Sequence, residues 1–542
     1  MQKFKLVMNK TLSNFILAAF IGLIFINCAN RGNPDGGPKD ETPPVIVKAE
    51  PDNYSTNFKG KEIKIYFDEY VKMKDLTKQL IISPPMTTQP EITPIGSASK
   101  YITIKIIDTL QPNTTYAFNF GNSITDNNEG NPYPYYRYVF STGDYIDSLT
   151  VKGKIVDALK RKPETFVSVA LYEVDSTFTD SVVYKKPPKY ITNTLDSLTT
   201  FSIENIKAGK YLLVALKDNN GDNKFQQKTD QIAFYDHFID VPTDSLYTLK
   251  LFSEELDFNA TRPKLVSGEK IAFGYEGDYK DMQIAIVSDT PEEFVSRITK
   301  DEKTDTLYYW YKPRMEVDSL LFKVSKGNFE KDFTVRISEQ KRDTLVIKSS
   351  PSGSIGYDEP FKISGSTPLL TFDDSKITIL DKDSTKVDFT TKFDMIANTY
   401  EINFDKTEDN AYKFQILPEA FTDFFDDKND TLNYSIKTRK KSEFGYVRFT
   451  LNNAEYPIII QLTDEKGVVK YEQYSTKPEQ LDFFNLNSGK YFIRVIFDAN
   501  GNKKYDAGSF LKKIQPERVV YFEMEDAIRA DWGIIQTLNF TE

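Results

Sequence analysis

Two loops of alternating Asp and Asn residues carry the clearest ligand-forming pattern in the sequence. The loops contain Asp218, Asn220, Asp222 and Asp230 in the first, and Asp498, Asn500, Asn502 and Asp506 in the second. Short acids and amides at every second position supply the oxygen donors of calcium loops. The pattern predicts two structural calcium sites and no other cofactor. Asn223 and Lys503 stand where a calcium loop wants glycine, and β-turns select the same residue types, so turn formation without a metal remains the alternative.

The chain has a single histidine, His237, and no recognisable catalytic motif. A lone histidine excludes multi-histidine metal sites and permits at most one Ser-His-Asp arrangement. Nucleophile-elbow, P-loop and dinucleotide-binding motifs are absent from the sequence. With 79 acidic residues, a pair of carboxylates at any spacing is uninformative. We therefore predict that the protein is not an enzyme and that His237 is a partly buried strand residue.

The only cysteine, Cys28, follows a pattern typical of bacterial export signals. Lys3, Lys5 and Lys10 form a basic start, and an uncharged apolar run over 15–26 precedes the cysteine. The run is too short to span a bilayer, which takes about 20 residues as a helix. The pattern predicts a signal peptide over 1–27, and similarity to lipoprotein signals implies lipid attachment at Cys28. The alternative is a free cysteine at the end of an ordinary signal.

Composition limits the remaining possibilities for anchoring and partners. Without a second cysteine the chain forms no intramolecular disulfide, so its domains depend on burial alone. The formal net charge of −10, without a basic tract, argues against nucleic acid as a partner and against docking on an anionic membrane face. Residues 28–43 are rich in Gly, Pro and charge, which predicts a flexible tether. Membrane attachment would therefore depend on the lipid.

An aromatic stretch over 131–140 is a further candidate for binding. Tyr133, Tyr135 and Tyr136 are exposed in this hypothesis and form a stacking platform for a sugar or a hot spot for a protein. The alternative is a proline-punctuated loop that enters a strand.

Beyond residue 44 the sequence alternates between apolar and polar residues with the period of a β-strand. Clear examples are 62–67, 101–106 and 115–120. Such runs recur about every ten residues between Asn, Asp, Gly and Pro clusters, which is typical of all-β sandwiches. Helical periodicity is limited to short pieces such as 292–298 and 419–425.

Two internal repeats indicate a duplicated pair of domains. Residues 201–221 match 481–501 around a shared Gly-Lys-Tyr and Asn-Gly, and residues 116–126 match 412–423 more weakly. The pair is named A–B and its repeat A′–B′, with an unmatched β-rich segment between them. The predicted domains are a signal peptide (1–27), a lipidated tether (28–43), sandwich A (44–145), sandwich B (149–255), a β-rich domain (258–350), sandwich A′ (355–440) and sandwich B′ (443–542).

These residues also carry a family resemblance. The segments 42–53, 67–71, 110–118 and 139–144 resemble a bacterial Ig-like domain of the SbsA type, and the repeated Gly-Lys-Tyr unit resembles the transthyretin-like or carboxypeptidase-regulatory sandwich. The whole chain resembles Ig-like lipoproteins of Bacteroidota, with the Gly36–Pro44 tether leading into the first sandwich. The resemblance implies an all-β fold of tandem Ig-like and transthyretin-like β-sandwiches. It implies no reaction.

The expected function follows from this combination. We expect a rod or arc of five sandwiches, anchored to the outer membrane by lipid and facing the cell surface rather than the periplasm. It would act as a protein-binding scaffold or accessory subunit of an outer-membrane β-barrel machine, with the β-barrel assembly complex as first candidate and the secretion apparatus as second. The alternative is a surface carbohydrate-binding or adhesive lipoprotein.

Overall fold

The computed structural model describes residues 40–195 and 199–540, and its regular structure is almost entirely β. The described residues form two compact units. The first comprises 40–80, 86–114 and 118–144, and the second comprises 81–85, 115–117 and 145–540. No helix among these residues is long and apolar enough to span a membrane. The predicted signal peptide, Cys28 and most of the predicted tether lie outside the described residues.

Sandwich A confirms the alternation seen in its sequence. Ile63, Ile65 and Phe67 point inward along one strand and are almost completely buried. Its main sheet has the order β1-β2-β5-β4, with β7 paired to β2. The strands and the single helical turn are β1 (Ile46–Glu50), β2 (Glu62–Met73), α1 (Leu76–Gln79), β3 (Ile81–Ser83), β4 (Glu91–Thr93), β5 (Ser99–Lys105), β6 (Thr115–Asn119), β7 (Ile124–Asp126) and β8 (Arg137–Ser141).

Sandwich B packs a three-stranded sheet on a larger one. Its elements are β9 (Leu149–Asp157), β10 (Ser168–Glu173), α2 (Val182–Lys185), β11 (Tyr190–Asn193), β12 (Thr200–Ile206), β13 (Gly209–Lys217), β14 (Gln231–Phe234), β15 (Ile239–Val241) and β16 (Leu246–Leu251). The sheets have the orders β12-β9-β16 and β11-β10-β13-β14, with β15 also paired to β13. Strand β13 is buried on both faces: Leu213 lies in the sandwich core and Leu212 in a second apolar cluster.

The β-rich segment is itself a sandwich, named C. Its strands are β17 (Asn259–Ala260), β18 (Lys264–Ser267), β19 (Lys270–Glu276), β20 (Gln283–Ile286), β21 (Val295–Lys300), β22 (Thr306–Lys312), β23 (Ser319–Lys326) and β24 (Phe329–Arg336). The sheets are β17-β19-β22-β21, with β18 beside β19, and β20-β23-β24. The helical interpretation of 292–298 was wrong, because Val295–Lys300 pairs with β22 along its length. Its β-branched Val295, Ile298 and Thr299 favour this strand.

Sandwich A′ begins earlier than its sequence suggested. Its strands are β25 (Ile347–Ser350), β26 (Gly353–Ser354), β27 (Phe361–Gly365), β28 (Leu369–Phe372), β29 (Ile377–Leu380), β30 (Phe389–Asp394), β31 (Thr399–Phe404), β32 (Ala411–Ile416), β33 (Phe421–Asp423) and β34 (Leu432–Lys437). The sheets are β25-β27-β31-β30, β26-β34-β32-β29 and β28-β33. Because β25 pairs with β27, the domain starts near residue 347 rather than 355. The helix predicted over 419–425 is also wrong, since β33 occupies its centre. A 3-10 turn covers Asp374–Lys376.

Sandwich B′ has the strand arrangement of B. Its strands are β35 (Gly445–Asn452), β36 (Ile458–Thr463), β37 (Val469–Ser475), β38 (Leu481–Leu486), β39 (Phe492–Phe497), β40 (Val519–Glu523) and β41 (Gly533–Asn539), after a 3-10 turn over Lys441–Glu443. The sheets are β38-β35-β41 and β37-β36-β39-β40. The last strand pairs parallel to the first in both copies. The shared Asn-Gly pairs form turns with a positive φ at the glycine, 72° at Gly221 and 73° at Gly501.

Within the second unit, the four sandwiches contact one another in a closed cycle. Lys228 of B pairs with Glu276 of C at 2.5 Å. Contacts between C and A′ include the hydrogen bond from the Lys300 N–H to the Ile396 carbonyl at 2.7 Å. A′ and B′ meet where the rings of Tyr357 and Phe444 lie 6.1 Å apart, and B′ returns to B through Phe510, which is buried in the second apolar cluster of B. The expectation of an extended rod or arc is therefore wrong for these four domains.

Candidate functional site

The contact between B and B′ is built around one inserted aromatic side chain. Phe510, in the loop between β39 and β40, is fully buried and packs edge to face on Phe234 with ring centroids 5.4 Å apart. Its main-chain N–H donates a hydrogen bond to the buried Glu254 carboxylate. Nearby, the Gln515 side-chain amide donates to the Phe234 carbonyl at 3.0 Å, and Lys513 pairs with Asp180 at 2.7 Å. The apolar insertion is thus surrounded by directional contacts.

A second, polar part of this contact lies around the Leu159 carbonyl of B. The Tyr521 hydroxyl donates to that carbonyl at 2.7 Å, and the buried Arg494 guanidinium lies 3.5 Å from it. Arg494 also donates to the Gln461 side chain at 2.6 Å, so its charge is solvated by protein groups. Arg161 of B lies over the Phe492 ring at 4.0 Å. These residues join B and B′ into one body.

The first Asp/Asn loop uses its oxygens to hold its own backbone. Asp218 accepts hydrogen bonds from the main-chain N–H groups of Asn220, Gly221 and Asn223 at 2.7–3.0 Å. Asp230 accepts two further main-chain N–H groups at 2.9 and 3.1 Å. These bonds are those of an Asx-type turn, in which a side chain substitutes for a backbone acceptor.

The other predicted ligands of the first loop are tied to a neighbouring amide. Asp222 accepts a hydrogen bond from the Gln226 side chain at 2.8 Å and from the Lys224 N–H at 3.0 Å. The Asn220 side-chain amide donates to the Gln226 side-chain oxygen. Both predicted ligands therefore have partners within the loop.

The Asp and Asn side chains of the second loop also form hydrogen bonds within their own loop, although they pair with different residues. Buried Asp498 accepts the N–H groups of Asn502 at 3.1 Å and Lys503 at 2.9 Å. The amides of Asn500 and Asn502 both donate to Asp506, at 2.5 and 2.7 Å. Across residues 40–195 and 199–540, no group of three His, Cys, Asp or Glu side chains is arranged to hold a metal ion. Calcium binding by the mixed Asp and Asn sets stays a prediction.

The three predicted aromatic residues of sandwich A do not form a common exposed platform. Tyr136 is buried, at 8% exposure, and packs in a stacked orientation on Phe120 with centroids 6.0 Å apart. Tyr133 lies edge-on against Tyr136 at 5.7 Å. Only Tyr135, with a positive φ of 53°, is exposed. Tyr136 is therefore a core residue, which corrects its assignment as a binding residue.

His237 occupies a different position from the one predicted. It lies in the turn between β14 and β15 and is exposed, so it is not a partly buried strand residue. Its ring is edge to face with Tyr235, with centroids 6.4 Å apart.

A cleft of about 430 Å³ lies in sandwich C around a buried carboxylate. Glu269, at 2% exposure, receives Arg342 at 2.8 Å and Arg314 at 3.2 Å. Arg342 also lies over the Phe425 ring of A′ at 4.3 Å. Both guanidinium groups are thus held by one acid, and Arg342 joins C to A′. The cleft is lined by Glu269, Arg314, Glu339, Gln340, Lys341 and Arg342.

An exposed aromatic patch covers the outer face of the three-stranded sheet of B′. The "outer patch" consists of Tyr446, Phe484, Trp532 and Ile535, which are 43%, 58%, 52% and 68% exposed. The rings of Tyr446 and Phe484 lie 6.0 Å apart at an interplanar angle of 34°. Tyr446 lies over Gly533: a Cβ atom at that glycine would be 2.0 Å from the ring carbon Cζ. The ring is therefore laid against the sheet and presents its other face outward.

A charge pair lies beside the outer patch. Arg448 faces outward beside Ile535 and Asp482 in the strand register. Its guanidinium donates to both Asp482 oxygens at 2.6 and 2.8 Å, and this hydrogen bonding lowers the pKa of Asp482. The pair therefore adds donors and acceptors to the patch edge without adding net charge.

Sequence reasoning missed both the B–B′ contact and the outer patch. A signal for the contact was present in β13 and β39, whose runs 211–216 and 491–497 are apolar on both faces apart from Arg494. Such strands need cover on both sides. Phe510 itself carries no periodic signal. The outer patch draws on three separated strand segments, which only the pairing brings together.

The fold and these surfaces define an all-β protein made of tandem Ig-like β-sandwiches. Residues 40–142 match the model of the bacterial Ig-like domain. No curated protein matches the chain.

Solved structures with partial likeness include the S-layer protein rSbsC(31-844), at 12% identity, covering 89% of this chain and 67% of that one with a TM-score of 0.16. The Bacillus anthracis TIE protein is 11% identical, with coverage of 94% and 75% and a TM-score of 0.14. Titin domains I67–I69 are 15% identical, with coverage of 52% and 98% and a TM-score of 0.12. Similarity at this level carries no information about shared function.

Proposed function

We propose that the chain is a non-enzymatic lipoprotein of the outer membrane, held by lipid on Cys28, that presents protein-binding surfaces. The observation that carries this proposal is the closed cycle of four sandwiches fixed by Phe510. A body whose domains are locked together presents its surfaces in one arrangement, and such preorganisation reduces the entropy lost when a partner binds. Flexibly joined domains would lose more conformational entropy on binding the same partner.

The sequence supports the anchoring part of the proposal. Cys28 comes one residue after an apolar run with a basic start, and the Gly- and Pro-rich residues after it match a tether. Cell-surface exposure and an origin in Bacteroidota follow from the resemblance of this region to lipoproteins of that phylum. On the same resemblance, the partner is an outer-membrane β-barrel complex, with the β-barrel assembly complex as first candidate and the secretion apparatus as second.

Affinity purification from detergent-solubilised membranes tests this proposal. The tagged full-length chain should recover a β-barrel protein in fixed ratio. The matched control is Cys28→Ser, which should be lost from the membrane fraction but keep its thermal unfolding profile, since position 28 precedes the predicted sandwich domains in the sequence. Recovery of the wild-type chain alone, or equal membrane retention of Cys28→Ser, would contradict the proposal.

A second candidate function rests on the outer patch of B′. Exposed aromatic rings on a sheet face favour a surface carbohydrate-binding or adhesive lipoprotein. This function requires glycan binding but no partner protein.

A further inference from the structure

The outer patch differs from the same surface of sandwich B, although both domains share one strand arrangement. Lys152 pairs with Ser202 and Leu246 in B, and Arg448 pairs with Asp482 and Ile535 in B′. This register makes the two sets of positions equivalent. The counterparts of the patch residues in B follow from it: Thr150 for Tyr446, Glu204 for Phe484 and Leu246 for Ile535.

Folding therefore does not require aromatic residues at these positions. Thr150 and Glu204 occupy the same sheet face in a sandwich with an equally buried core. The two positions that carry Thr and Glu in B carry Tyr and Phe in B′. B′ therefore exposes apolar area that B does not have at these positions. Such contiguous exposure on a folded domain is typical of a binding surface.

The orientation of the rings indicates the shape of the ligand. Tyr446 lies flat over Gly533, so it offers a ring face rather than an edge, and Phe484 stands beside it at 34°. A flat, shallow platform of this kind fits a ligand that is itself flat and apolar on one side. A pyranose ring with equatorial hydroxyls has this shape, because its axial C–H bonds form an apolar face.

The neighbouring charge pair indicates the polarity of the ligand. Arg448 and Asp482 neutralise each other, yet together they retain hydrogen-bonding capacity at the patch edge. Hydroxyl groups donate and accept, so both members of such a pair can bind them. A charged ligand would gain no net attraction from this pair.

The size of the patch indicates a small ligand. The four exposed side chains present about 330–550 Å² together, given their exposed fractions and about 150–250 Å² for a large side chain. A standard protein interface takes about 800 Å² from each partner. The patch is therefore too small alone for a stable protein interface and large enough for a few sugar units.

We propose that the outer patch of B′ binds a neutral oligosaccharide of equatorially substituted pyranose units. Tyr446 and Phe484 stack on the sugar faces, Trp532 and Ile535 extend the apolar platform, and Arg448 with Asp482 contacts the hydroxyl groups. The site belongs to the second candidate function and is independent of any partner machine.

Affinity gel electrophoresis of the folded chain in soluble polysaccharides tests the site. The probes are hydroxyethyl cellulose, xylan and laminarin, with polyacrylamide lacking polysaccharide as reference. The wild-type chain should be retarded by at least one of them. Tyr446→Ala and Phe484→Ala should each weaken binding by about tenfold or more, as loss of a stacking ring does.

Two further variants separate ring placement from composition. Gly533→Ala keeps every aromatic residue but displaces the Tyr446 ring, so it should weaken binding to an extent similar to Tyr446→Ala. Leu246→Ala, at the equivalent position of Ile535 on B, should leave retardation unchanged. Thermal unfolding of each variant should stay near that of the wild type, because all these positions lie on an exposed face.

The possible outcomes distinguish a failure of the proposed site from a failure of the second candidate function. Retardation that survives Tyr446→Ala, Phe484→Ala and Gly533→Ala would overturn the site and leave carbohydrate binding elsewhere on the chain. Absence of retardation in all three polysaccharides would overturn both the site and the second candidate function. Loss of a co-purified protein in the same variants, without glycan binding, would identify the patch as a protein-docking surface and overturn the proposal.

Discussion

Sandwiches B and B′ have the same strand order and meet through their larger sheets, but they differ on the outer faces of their smaller sheets. The larger sheet of B accepts Phe510 of B′ into an apolar cluster, while its smaller sheet carries the half-buried Thr150 and Glu204 and the exposed Lys152 on its outer face. B′ supplies the inserting loop and carries Tyr446 and Phe484 on its smaller sheet. Both copies take part in the contact, but only B′ carries exposed aromatic rings at these positions of its smaller sheet. One sheet joins the domains, and the outer face of the other is free to diverge.

The largest expected effect comes from removing the inserted side chain. Phe510→Ala should lower the free energy of unfolding of the second unit by about 3 kcal/mol, because it leaves a cavity in the apolar cluster of B. Leu511→Ala, at the adjacent exposed position, is the matched control and should change little. Urea denaturation measures both. Equal effects of the two substitutions would show that the B–B′ contact contributes no stability.

The two Asp/Asn loops should respond unequally to the same substitution. Asp498→Ala should cost about 2 kcal/mol, since it removes a fully buried carboxylate that accepts the N–H groups of Asn502 and Lys503. Asp218→Ala should cost about 1 kcal/mol, because water reaches its partly exposed loop. Urea denaturation compares the two variants. A smaller cost for Asp498→Ala would contradict this ranking.

The same loops test the calcium prediction. Calcium should raise the melting temperature of the wild-type chain, since a ligand that binds only the folded state stabilises it. The double substitution Asp218→Ala and Asp222→Ala should reduce the rise, with the second loop left intact. Differential scanning calorimetry with calcium and with chelator provides the measurement. Equal melting temperatures for the wild-type chain in both conditions would end the prediction.

The B–B′ contact should also weaken as pH rises. Burial raises the pKa of Glu254 above its usual range, although the Phe510 N–H partly offsets this effect. The folded state therefore holds the proton more tightly than the unfolded state. The stability that protonated Glu254 contributes is fully present below the pKa of this group in the unfolded state. It is lost as the pH rises through the pKa of Glu254 in the folded state.

Glu254→Gln isolates this contribution. The amide oxygen still accepts the Phe510 N–H but does not ionise, so the variant should lose less stability than the wild type between pH 4 and pH 8. Urea denaturation across that range gives the comparison. Parallel curves for the two proteins would exclude a titrating Glu254.

The smallest effect is expected on the outer faces. Replacing Tyr446 with Thr and Phe484 with Glu, as in B, should change the free energy of unfolding by no more than about 0.5 kcal/mol, because both side chains are exposed. Thermal unfolding measures this change. A large loss would mean that the aromatic residues support the fold of B′ rather than a ligand.

The sequence predicted the local features of this molecule better than its long-range ones. The alternation in 62–67 depends only on nearby residues, and the structure confirms the strand that it predicts. The Asn-Gly pairs at Gly221 and Gly501 are equally local and form turns. The duplicated strand order also followed from the repeat. The short helices over 292–298 and 419–425 were wrong because a few apolar residues at helical spacing do not outweigh strand pairing.

The site was harder to predict because it depends on contacts between distant residues. Phe510 packs on Phe234, although more than half of the sequence of the second unit separates the two residues. No local pattern marks Phe510 as an inserted side chain. The platform on B′ requires β35, β38 and β41 to be aligned before Tyr446, Phe484 and Ile535 become neighbours. Conversely, Tyr136 looked exposed in a Pro-rich segment but is buried by packing on Phe120.

Zero-length cross-linking is the most direct test of the contact between B and B′. Lys513 and Asp180 form an ion pair at 2.7 Å between the two domains, and both side chains are accessible at 37% and 43% exposure. A carbodiimide should join them in the intact chain, as it joins Lys323 to Glu330 within sandwich C, where the atoms lie 2.6 Å apart. Mass spectrometry should detect both linked peptides. Detection of the Lys323–Glu330 link without the Lys513–Asp180 link would contradict the closed arrangement.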